Sequence, residues 1–79
     1  MTNKEKYNQV FIECLEITIE QLQNLTYQSI PLWNSVGHMT LMAAIEDSFD
    51  IMMEADDIIG FSSYQIGIEI LKNKYGIPL

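Results

Sequence analysis

Residues 35 to 50, SVGHMTLMAAIEDSFD, constrain this chain more than any other stretch. Set at about 100° per residue, they sort into two faces. Leu41, Ile45 and Phe49, joined by Met42, form one apolar stripe. That spacing predicts a helix over 35–50 with its stripe on a core. Val36, Met39 and Ala43 fall on the far side, interleaved with Glu46, Asp47 and Asp50. An apolar strip fringed by carboxylates predicts a docking surface, although a small domain leaves some apolar atoms exposed in any case.

The flanking segments are read the same way. Tyr7, Val10, Phe11, Cys14 and Leu15 recur at helical spacing and predict a first helix over 4–16. The β-branched run Ile17-Thr18-Ile19 favours ending it there. Residues 17 to 34 then form a long connection, which Ile17, Leu22, Leu25, Tyr27, Ile30 and Trp33 are placed to pin down. EADDII, 54–59, predicts a short third helix. Ser62 followed by Gln65 reads as a capping box opening a last helix, with Ile66, Ile70 and Leu71 as its apolar stripe. Gly76 and Pro78 mark its end. Nothing reads as a series of strands. The expected fold is all-α, one domain over 1–79: a four-helix bundle of three main helices and a short third one, with a long loop between helices 1 and 2.

Size and charge narrow the function. A chain of 79 residues buries only about 60% of its unfolded surface, too little to wall off a deep catalytic site. No apolar run is long enough to span a bilayer, and MTNKEKYN has no signal-peptide core. One cysteine cannot form an internal disulfide, and the expected compartment is the cytoplasm. The net charge is −7, and its layout matters more. The basic residues are Lys4, Lys6, Lys72 and Lys74, all near the ends. The span between Tyr7 and Leu71 holds ten acids and no Lys or Arg. That field repels nucleic acid and suits a partner with a basic surface.

Individual residues offer few catalysts. Ser35 stands where a helix N-terminus leaves N–H groups unpaired and its dipole positive, so a phosphate ester would be favourable there. Helix physics alone leans to a plain N-cap, since Ser35 and Asn34 are both favoured caps. His38 shares the core side with Leu41 and Ile45 and reads as a half-buried structural histidine. Ser35 and His38 are neighbours on one helix, but no third group completes a triad. Cys14 reads as inert core. One His and one Cys build no zinc site, and DSFDIMMEADD lacks the pattern of a calcium loop. Weak binding of divalent ions by Asp56 and Asp57 is the most it supports.

Taken together, WNSVGHMTLMAAIEDSFDI resembles the Asp-Ser-Leu region of acyl carrier proteins. In that family the serine opens the second helix. The counterparts are Asn34-Ser35-Val36, then Leu41, Ile45, Glu46, Asp47 and Phe49. Ile51 to Phe61 follows without a gap as loop and short helix, and Ser62-Ser63-Tyr64 as the start of the fourth. The resemblance covers residues 35 to 77 well. The connection before Ser35 looks shorter than in members serving fatty acid synthesis.

The resemblance implies a shuttle and not an enzyme. Ser35 would be esterified with 4′-phosphopantetheine from coenzyme A by a Mg²⁺-using phosphopantetheinyl transferase, and acyl cargo would ride as a thioester. Asn34 and His38 would flank the arm, with His38 bonding it or guarding a pocket mouth. Met39, Met42, Met52 and Met53 read either as adaptable surface around variable cargo or as ordinary packing. Val36, Met39, Ala43, Glu46, Asp47 and Asp50 would meet partners. The chain departs from the family where Asn34 replaces the usual Asp and Thr40 a usual Glu. Those departures, with the Trp-Asx-Ser-x-x-His pattern and the YQSIP lead-in, resemble stand-alone carriers of specialised lipid, surface-polysaccharide or secondary-metabolite pathways. Such a carrier works as a monomer with an adenylate-forming ligase, acyltransferase or synthase. The alternatives are an aminoacyl or peptidyl carrier, and an unmodified helical adapter.

Overall fold

Thr2 starts the first helix with a cap that closes on itself. Its hydroxyl accepts from the Glu5 N–H at 3.1 Å, and the Glu5 carboxylate accepts from the Thr2 N–H at 2.8 Å. Two otherwise unpaired donors are satisfied at once. The helix that follows, α1, spans Asn3–Leu15 and ends where Glu16 turns left-handed, φ 53°. The expected stop near Glu16 therefore holds. In this computed structural model, which describes residues 1–79, α2 is Ser35–Phe49, α3 is Ala55–Gly60 and α4 is Tyr64–Tyr75. The fold is all-α, three main helices and a short one. No helix is long and apolar enough to cross a membrane.

The core is built around aromatic rings. Tyr7 and Phe11 of α1 meet Trp33 of the long connection, Phe61, and Tyr64 of α4, all buried. Phe11 lies edge-on to Trp33 and Tyr64, at centroid distances of 5.6 and 5.5 Å. Such edge-to-face pairs add to the area term of burial. The Tyr7 hydroxyl, deep in this cluster, donates to the Tyr64 carbonyl at 2.7 Å. Burial holds that hydroxyl well above the usual range of a tyrosine, so it stays a donor. On α2 the stripe lies as expected: Leu41, Met42 and Ile45 are buried and Phe49 half-buried. Gly67 faces Tyr7 and Phe61, and a β-carbon there would collide with both rings.

Two expectations about α4 need correction. Ser62 does not cap it, because its carbonyl accepts from the Tyr27 N–H at 2.8 Å in an isolated β-bridge between Thr26 and Ser63. Ser63 is the cap, accepting from the Ile66 N–H at 2.9 Å, and the Gln65 amide reaches the Gln23 carbonyl instead. Of the expected stripe, Leu71 is buried and Ile70 half-buried against the core, but Ile66 is exposed, and Tyr64, Gly67 and Ile68 complete the buried face. Counting apolar side chains misplaces that stripe, because its closest contact is made by a glycine.

The long connection is anchored much as expected. Ile17, Leu22, Leu25 and Trp33 are buried, Tyr27 and Ile30 half-buried, and a short 3₁₀ turn occupies Ile19–Gln21. Its far end is tied to α4 by the Tyr64 N–H, which donates to the Leu25 carbonyl at 3.0 Å.

Asp57 of α3 is the one buried charge, and it is fully used. It accepts from Lys74 Nζ at 2.7 Å and from the Tyr75 hydroxyl at 2.6 Å. Tyr75 in turn accepts from the Glu54 N–H at 2.8 Å. This joins the start of α3 to the end of α4, and it removes Asp57 from the weak cation binding expected of it. The Lys74 bond first, then the Tyr75 bond, hold the Asp57 carboxyl below its ordinary 3.8. A depressed pKa contributes stability above the ordinary value, and that stability is lost as pH falls through the folded value. Wild type should therefore lose urea resistance below about pH 4 more steeply than Asp57→Asn. Equal acid limbs for the two proteins, followed by circular dichroism, would exclude this role.

Candidate functional site

Asn34, and not Ser35, caps α2. The Asn34 side-chain oxygen accepts from the Gly37 N–H at 2.8 Å, and its carbonyl accepts from the His38 N–H at 2.7 Å. The cap leaves Ser35 as the first helical residue, exposed, with its hydroxyl in no hydrogen bond to the protein. The N–H groups of Ser35 and Val36 also have no backbone partner. A nucleophilic hydroxyl thus stands beside two free donors at the positive end of a 15-residue helix.

The approach to Ser35 is set by close packing behind it. A β-carbon on Gly37 would overlap the Leu32 carbonyl oxygen, so the helix meets the incoming loop with no room for a side chain. Trp33, completely buried, turns the loop inward immediately before the cap. Its indole Nε1–H donates to His38 Nδ1 at 2.9 Å. An indole only donates, so Nδ1 is the acceptor and Nε2 carries the hydrogen. Nε2 then donates to the Ile58 carbonyl at 2.8 Å. Both ring nitrogens of His38 are therefore committed inside the protein. The expectation that His38 bonds a prosthetic arm is corrected: the ring is a strut between the loop, α2 and α3.

A pocket of about 340 Å³ opens next to the serine. Ser35, Met39, Ile59 and Ser62 are its exposed members, and Phe61, His38, Ile58 and Tyr27 its buried or half-buried ones. It is mainly apolar, and it lies between α2 and α3. No carboxylate or ammonium lines it.

The residues expected to meet a partner divide into two groups. Val36 (74% exposed), Met39 (56%) and Ala43 do face solvent along one side of α2, with Asp47 and Asp50 also exposed. Met52, one of the methionines read as adaptable surface, and Ile59, which the short third helix gave no face to predict, extend the exposed apolar part beyond α2. Glu46 differs. It is half-buried, and its carboxylate accepts from the Met53 N–H at 2.8 Å, which fixes the turn after α2. It has a structural task before any partner arrives. Three of the four lysines are also occupied: Lys6 and Lys4 lie over the rings of Phe49 and Tyr64, and Lys74 is paired with Asp57. Cys14 is half-buried, and burial raises its pKa, so it is a poor nucleophile.

Comparison of the chain with family models, curated proteins and solved structures returned no significant match.

Two substitutions probe this local build. Asn34→Ala should cost about 1 kcal/mol in urea denaturation, whereas Asn34→Asp should cost nothing measurable, because a carboxylate caps equally well. Gly37→Ala gives an opposition of signs. Helix propensity alone predicts a gain of about 1 kcal/mol. The overlap with Leu32 predicts a net loss of about 1–3 kcal/mol. A stabilised Gly37→Ala protein would show that the Leu32 carbonyl does not press on the helix start.

Proposed function

We propose that this protein is an acyl carrier: Ser35 bears a phosphopantetheine arm, and the protein presents acyl thioesters to partner enzymes. The observation that carries this reading is the coincidence at one residue of an exposed, unengaged hydroxyl, free N–H donors and an apolar pocket. The resemblance of the segment around Asn34-Ser35-Val36 to the acyl carrier signature points the same way.

The residues present suit the group. The Ser35 and Val36 N–H groups and the helix dipole would receive the phosphate of the ester. The arm, when attached, supplies the thiol on which the acyl group travels, and the protein supplies placement and recognition. Asn34 keeps the helix start rigid without adding charge. Val36 and Met39 offer apolar contact beside the serine, and Asp47 and Asp50 give the charge that steers a basic partner. The pocket lining favours plain acyl over aminoacyl cargo, since it offers no carboxylate to an ammonium group.

Intact mass after incubation with coenzyme A, Mg²⁺ and a broad-specificity phosphopantetheinyl transferase is the direct test. Wild type should gain one phosphopantetheine and Ser35→Ala none; no gain on wild type, or an equal gain on both, would refute the assignment. Replacing Asp47 and Asp50 together by Asn should slow modification several-fold at low salt, with the difference shrinking at high salt. Glu46 is left intact in that variant because of its bond to Met53. Rates that ignore both the substitution and the salt would remove charge from the recognition step.

A further inference from the structure

We propose that His38 forms a stiff inner wall of the pocket beside Ser35 and thereby limits the length of acyl chain that this protein takes in. The inference rests on the carrier reading for its biological meaning, but its geometry is independent of that reading. The exposed members of the pocket, Ser35, Met39, Ile59 and Ser62, form its mouth. Its inner side is made by Phe61, which is fully buried, and by half-buried His38 and Ile58.

The floor is stiff for three reasons. The His38 ring is held at both nitrogens, by Trp33 Nε1 at 2.9 Å and by the Ile58 carbonyl at 2.8 Å. The Ile58 bond crosses from α2 to α3, so it ties the two walls together at the inner end. Trp33 lies beside the ring in nearly the same plane, 17° apart with centroids 6.1 Å apart, and Phe11 packs edge-to-face on Trp33. An extended chain entering past Ser35 therefore meets a hydrogen-bonded wall backed by filled core. To go deeper it must displace the His38 ring, which unpairs the Ile58 carbonyl and, once the ring swings away, the Trp33 N–H as well, a costly outcome in a buried setting.

The residue that fixes this limit is a positioning residue. It lines the pocket, and it acts by holding α3 against α2. The sequence motif Trp-Asn-Ser-x-x-His places both ends of the strut around the serine, one residue pair before it and one turn after it.

The test separates the pocket from the carrier function by avoiding enzymatic loading. Ser35→Cys is made in a Cys14→Ala background and labelled with alkyl methanethiosulfonates of two to ten carbons, each leaving an alkyl disulfide at position 35. Melting temperature and methyl NMR shifts of Ile58, Ile59 and Met39 report entry of the chain. Both should change with each added carbon over the shorter chains and then level off before ten carbons. With His38→Ala added, the changes should continue to ten carbons. With His38→Gln added, whose amide offers one donor and one acceptor, the short limit should return.

Changes that continue to ten carbons with His38 present, or that are absent at every length, overturn the proposal. So does a limit that is identical with His38 and with Ala. The first two readings do not depend on any His38 variant folding. A protein that passes here but gains no phosphopantetheine on Ser35 would refute the carrier assignment alone. One that is modified but shows no length limit would refute this inference alone.

Discussion

The burial of Trp33 is the interaction on which the rest of the structure depends. The indole fills the space against Phe11 and Tyr27 and hands its single polar atom to His38. A buried indole N–H needs an acceptor, and the one available lies on the first turn of α2. Satisfying it fixes the tautomer of His38, and the fixed tautomer in turn supplies the donor that captures α3. One side chain thereby orients the loop, the helix start and the short helix together. Ser35 owes its position to this chain of obligations and to the tight contact of Gly37 with Leu32, since the serine itself makes no bond that would hold it.

The short helix α3 is held from two sides by different physics. Its start is fastened by a buried carboxylate, a lysine and a tyrosine. Its end is fastened by the neutral hydrogen bond from His38 and by Phe61 in the core. Six residues form no stable helix alone, because nucleation is costly and few bonds follow it. The pocket exists because these two attachments impose a conformation that the segment would not keep by itself.

Periodicity made the main helices legible. The stripe on α2, the anchors of the long connection and the approximate ends of α1, α2 and α3 all follow from apolar spacing and turn residues. Other features were not legible, for specific reasons. Ser62 and Ser63 are chemically equivalent caps, and only the pairing of Tyr27 with Ser62 decides between them. Glu46 looks like its neighbours Asp47 and Asp50, yet its reach to Met53 depends on how the next turn folds back. Asp57 sits in an acidic run, and its partners, Lys74 and Tyr75, lie far along the chain on α4. His38 could be placed on the core side from spacing, but not assigned its two bonds, because one of them ends on a backbone carbonyl that carries no sequence signature.

The backbone bond from Tyr27 to the Ser62 carbonyl has a consequence for the order in which the molecule assembles. α1, α2 and α4 each close their own backbone bonds between residues near in the chain, and such local bonds form early. The pocket needs a segment before α2 to find one after α3, and closing that loop costs entropy without the reward of local bonds. Helices can thus be complete while the surroundings of Ser35 are not. Any enzyme that recognises the finished pocket, and not the serine alone, distinguishes a fully folded chain from one still searching for its last contacts.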